Sequence, residues 1–150
     1  MRGLRLGGHP LHPALVHFPV ACWTAAPVLG GVYLLTQAPL FWQAEFACLA
    51  TGVLVGVLAM CAGLMDLMAI PAESPAQSVA QRHMLLMGSA WTLYVLALVL
   101  HPLHGTPTPS QVWTDFGLCV AGFLVLAVGA YAGARLVYDF GIGRNPSPKP

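Results

Sequence analysis

The chain has 150 residues, of which 57% are hydrophobic and 7% charged, with a formal net charge of +1. A soluble surface needs roughly 25% charged residues, so this composition and a mean hydropathy of +0.73 exclude an aqueous domain. The chain has no basic stripe for nucleic acid, no phosphate loop and no nucleophile–base pair, which leaves nucleic-acid binding and hydrolysis unsupported.

In chain order, apolar blocks cover residues 13–36, 46–70, 83–100 and 116–138. About 20 residues cross the hydrocarbon of a bilayer, and each block is of near-spanning length. Backbone polar groups in lipid must be satisfied within their own segment, so all four blocks are expected to be helices. The expected fold is all-α, an integral membrane bundle of four transmembrane helices in up-down order. Residues 1–140 form one domain and 141–150 a flexible tail. The first block is too long for a signal peptide and lacks a clear cleavage site. Connections at 37–45, 71–82 and 101–115 are marked by prolines and polar residues.

Four spans return both termini to one side, side A. All six basic residues (Arg2, Arg5, Arg82, Arg135, Arg144, Lys149) fall there, and the side-B connections carry none. The positive-inside rule then places side A and both termini in the cytoplasm. Trp42 and Trp113 are expected in an interfacial aromatic belt on side B. Gly52, Gly56 and Gly63 in the second helix, and Gly117, Ala121, Gly129 and Gly133 in the fourth, are spaced for close helix approach, within the bundle or across a homodimer.

The reactive residues concentrate at side A. Residues 8–19 hold His9, His12 and His17, three of the six histidines. An imidazole in hydrocarbon is costly and marks a site by default. At a rise of about 1.5 Å per residue, His17 and His83 each lie about 12 Å from the midplane on diagonal helices. His12 lies about 7 Å further out, at the helix entrance with His9. Pro19 would free the Leu15 carbonyl as a partner for His17. His101 and His104 are expected alone on side B, so that only side A assembles a site from several helices.

Two neutral histidines at one depth on opposing helices suit a six-coordinate haem b. His17 and His83 are the expected axial ligands, with His12 as substitute. Phe18, Met84 and Met87 would line the haem, and Arg82 or Arg5 would meet a propionate. The chain is then a b-type cytochrome-like electron carrier rather than a catalyst, working with a redox partner protein or membrane complex.

The alternatives are a transition-metal ion (Cu, Fe or Zn) held by His12, His17, Asp66 and His83 for transport, or a structural subunit whose histidines bond backbone carbonyls. His12 and His17 stand roughly 140° apart around a helix, which argues against all four binding one ion. Met60, Met65, Met68, Met84 and Met87, with Cys22 and Cys61, occupy the side-A halves of their helices, as Cu(I) ligands or as packing. The four cysteines form no CxxC pair, so neither a zinc site nor a disulfide framework is expected.

The opening Gly8-His9-Pro10-Leu11-His12-Pro13-Ala14-Leu15-Val16-His17-Phe18-Pro19 resembles the signature of the DUF2231 family, four-helix membrane proteins of bacteria. Gly63-Leu64-Met65-Asp66, Ile70-Pro71, Arg82-His83 and the closing segment from Gly133 to Gly141 extend the likeness over nearly the whole chain. Ala134 stands where a second glycine is expected, and Asp139 lacks the neighbouring basic or histidine residue. The resemblance implies the fold and a bacterial inner membrane. Some relatives are joined to Rieske-type iron–sulfur domains, which implies redox chemistry near the membrane.

Overall fold

The computed structural model describes residues 5–102 and 105–143. Arg2, His104, Arg144 and Lys149 lie outside the described residues. A short hairpin opens the chain, β1 (Arg5–Leu6) antiparallel to β2 (His9–Pro10). Gly7 and Gly8 turn it with φ of 56° and 82°, the two positive values that a tight two-residue hairpin requires. Four helices follow: α1 (Leu11–Thr36), α2 (Pro39–Met68), α3 (Pro75–Leu100) and α4 (Pro109–Tyr138). All four are long and apolar enough to span a bilayer.

The helix ends at Thr36, Leu100 and Tyr138 fall where hydropathy predicts them, but α2, α3 and α4 begin well before the predicted 46, 83 and 116. Pro39, Pro75 and Pro109 account for the difference. Each occupies the first turn, where a missing N–H costs nothing and a fixed φ favours the helix. Ser74 caps α3 by accepting from the Ala76 N–H at 3.3 Å. Thr108 and Gln111 form a reciprocal capping box at the start of α4. Read only as helix breakers, these prolines lengthen the loops. The α1–α2 connection is in fact two residues, with Gln37 in the left-handed conformation closing α1 onto the Tyr33 carbonyl at 2.8 Å.

Helix α1 packs most extensively on α2, and α3 on α4, with lighter α2–α3 and α1–α4 contacts. The bundle is thus two antiparallel hairpins side by side. Trp23, Ala26, Leu49, Ala90, Tyr94, Ala97, Cys119 and Leu126 form its central core. Leu35, Leu54, Leu58, Leu85, Val99 and Leu124 point outward, as lipid-facing positions should. Trp113 is exposed, but Trp42 is buried because α2 already begins at Pro39 and the indole turns inward. At the far end, the Ile142 N–H reaches the Leu136 carbonyl at 2.9 Å, and Phe140 and Ile142 pack beside Leu136. The start of the predicted tail therefore continues the fold.

The two hairpins are approximate repeats. Trp23 and Tyr94, 71 residues apart, occupy equivalent places in α1 and α3, as do His12 and His83. Glu45 and Asp115, Gly52 and Gly122, and Gly63 and Gly133 are equivalent in α2 and α4. The Trp23 and Tyr94 rings stack at 4.9 Å and 5°. Side chains that meet their own equivalents must lie near a two-fold axis, here one running along the bundle.

Candidate functional site

The side-A end brings together His12 and His83, not His17 and His83. The His12 Nδ1 donates to the Ala59 carbonyl at 2.8 Å, and the His83 Nδ1 donates to the Gly129 carbonyl at 2.8 Å. A carbonyl can only accept, so each Nδ1 carries the proton and each Nε2 is left as a lone pair. The ring centres stand 6.4 Å apart with planes at 81°.

Glycine makes both bonds possible. A Cβ on Gly63 would lie 2.9 Å from the His12 ring, and one on Gly133 would lie 2.8 Å from the His83 ring. Each imidazole therefore sits on a glycine and reaches the carbonyl one turn earlier. The glycines expected to bring helix backbones together serve here as sockets for rings. Gly122 likewise receives Tyr94, whereas Gly117 faces open space.

The remaining side-A residues are dispersed. His17 is exposed, and its Nδ1 reaches only the Ala14 carbonyl of its own helix at 3.4 Å. His12, rather than His17, stands level with His83, and the exposed His17 faces away from it. Phe18 is 61% exposed and Met84 42%, so neither lines the space between the histidines. Arg82 is exposed near the helix start, and Met87 packs against the central core beside Gly129. Asp66 is half-buried in the last turn of α2. Among the described residues, no three metal-ligating side chains converge around His12, His17, Asp66 and His83. Met65 and Met68 are also exposed, so the methionines do not gather into a Cu(I) site.

Pro27 has a visible consequence. Lacking an N–H, it frees the Trp23 carbonyl one turn earlier, and the Tyr94 hydroxyl donates to that carbonyl at 2.8 Å. The expected analogue at Pro19, a bond from His17 to Leu15, does not form, because His17 faces away.

Side B holds a second polar centre. Glu45, Asp115 and Cys119 are all buried, with potential ligand atoms within 4.8 Å of one another. The His101 Nδ1 donates to Asp115 Oδ1 at 3.2 Å, and the Cys119 thiol lies 3.9 Å from Asp115 Oδ2. The Trp42 ring stacks on His101 at 3.8 Å, and its indole N–H points to the Pro102 carbonyl at 3.4 Å. The expectation that only side A joins several helices is thus corrected. Glu45 and Asp115 fell within stretches read as loops, and starting α2 and α4 at their prolines puts both carboxylates inside helices. Their equivalence in the internal repeat was the signal available in the sequence.

No curated protein and no solved structure matches the chain. The profile of the family described as "Predicted membrane protein (DUF2231)" matches residues 8–146. That stretch contains all four spanning helices, the histidine pair and the side-B cluster, and the chain belongs to the DUF2231 family of predicted membrane proteins.

Proposed function

We propose that the protein is a b-type haem carrier for electrons in the membrane, with His12 and His83 as the opposed ligands of the iron. The opposed pair itself carries this reading: two imidazoles, each held by Nδ1 on a backbone carbonyl, with ring centres 6.4 Å apart. Metal–imidazole bonds are about 2 Å long, so two rings facing each other across one ion have centres about 6 Å apart. Rings sharing a tetrahedral ion stand closer, at about 5 Å. The 6.4 Å separation is closer to the first arrangement, in which His12 and His83 would hold a haem iron between them.

The chain's own groups would tune such a site. The Ala59 and Gly129 carbonyls fix the tautomer of both rings and make Nε2 the better donor. Gly63 and Gly133 let the rings sit against α2 and α4. Bound haem would supply a one-electron couple, and His12 and His83 would both be committed to holding it. That favours a carrier over an enzyme. Arg82 and Arg5 lie at the same end for propionates or for a redox partner. The excess of basic residues at side A supports a cytoplasmic orientation of this site under the positive-inside rule, and a bacterial inner membrane is part of the same proposal.

The test is the absorption spectrum of detergent-purified protein from haem-replete cells, oxidised and then reduced with dithionite. A Soret band with sharpened visible bands on reduction is expected in the wild type and in His17→Ala. The bands should be lost or broadened in His12→Ala and in His83→Ala. A wild-type protein without a Soret band, or His12→Ala and His83→Ala proteins with unchanged spectra, would overturn the assignment.

A further inference from the structure

The side-B cluster carries chemistry that the histidine pair does not use. Glu45 on α2 is 0% exposed, and neither carboxylate oxygen meets a hydrogen-bond partner. Asp115 and Cys119 on α4 approach it, and the His101 Nε2 is likewise buried without a partner. A buried carboxylate with no donor is among the most costly groups a protein can hold, and in a bilayer no water relieves it. Among the described residues, Arg5, Arg82 and Arg135 all lie at the opposite end of the bundle, and none reaches Glu45.

We infer that Glu45, Asp115 and Cys119 form a binding site for a divalent transition-metal ion of the Zn²⁺ class, buried between the two hairpins. The thiol separates this site from a Mg²⁺ or Ca²⁺ site, whose ligands are oxygens alone. Donor atoms around a tetrahedral ion stand about 3.5 Å apart, so side-chain movement alone would seat an ion among atoms now within 4.8 Å of one another. Binding would release the protons of the thiol and carboxyls to solvent. His101 is a positioning residue, its Nδ1 holding the Asp115 oxygen and Trp42 holding its ring.

Room for this arrangement is built into the backbone. A Cβ on Gly30 would lie 2.7 Å from Glu45 Oε1, so glycine at that position leaves the carboxylate the place it takes here. Gly30 is the repeat equivalent of His101. One hairpin therefore offers space where the other offers the imidazole that orients Asp115. The ion would tie α2 to α4, which belong to different hairpins and have little other contact.

The experiment uses the full chain in detergent, with Co²⁺ as the probe after chelation, beside metal analysis of the protein as purified. Near-stoichiometric Zn²⁺-class metal and a cobalt–thiolate absorption band are expected. Cys119→Ser should abolish the band, Glu45→Gln should prevent stoichiometric loading, and His101→Ala should weaken Co²⁺ binding by about 10–100-fold. His12→Ala and His83→Ala should leave the band intact, which separates this site from the haem proposal. Should the cluster variants not fold, a chelator-dependent fall in the wild-type melting temperature, restored by Zn²⁺, is the supporting result. Background metal content, no cobalt–thiolate band and a protonated-carboxyl infrared band lost in Glu45→Gln would overturn the site and leave a proton shared between the two acids.

Discussion

At the scale of single residues, function depends on which way a ring faces. His12 and His17 lie on the same helix, five residues and roughly 140° apart, so at most one can turn toward the bundle. The glycines select His12, since Gly63 and Gly133 leave the space that the two imidazoles occupy. Gly63→Ala and Gly133→Ala should each push a ring off its carbonyl and destabilise the protein by about 1–3 kcal/mol. Gly117→Ala, where nothing lies within 4 Å, should melt like the wild type. Thermal unfolding in detergent compares the three. Tyr94→Phe keeps the stack on Trp23 but leaves the carbonyl freed by Pro27 unpaired, at a cost of about 1–3 kcal/mol on the same assay.

At the scale of elements, helix starts were the least legible part of the chain. Hydropathy locates the lipid-facing stretch and its end, but the first two turns of α2, α3 and α4 contain polar residues and begin with proline. Capping, rather than apolarity, sets those boundaries. Thr108→Ala removes the capping box of α4 and should lower stability by about 1 kcal/mol in that assay. The misplaced starts had a further consequence: with α2 beginning at Pro39, Trp42 and Glu45 become inward-facing helical residues instead of loop residues. The same shift puts Asp115 within α4.

At the scale of the whole molecule, two hairpins related by an approximate two-fold axis place like residues opposite like. The central aromatic stack, the side-A histidine pair and the side-B acidic pair all follow from that relation. The repeat was present in the sequence as matching intervals, since His12 precedes Trp23 by the same distance as His83 precedes Tyr94. It was masked because the two copies differ at most other positions. The charge distribution predicts that cysteine-specific reagents applied from outside the cell label a cysteine introduced at Gly105 and not one introduced at Arg5. The reverse pattern would invert the orientation.

The sequence by itself determined that this is a membrane protein of four helices, because a chain so poor in charge must bury its backbone polar groups in helices of spanning length. It also determined that His12, His17 and His83 share one end of the bundle, since the order of the spans fixes which helix ends lie together. Only the tertiary structure decided which histidines meet and that two acids and a thiol gather at the opposite end. Facing depends on how each helix is rotated against its neighbours, and that rotation is set by glycine sockets and ring packing contributed by other helices. Linear spacing along one helix does not contain it.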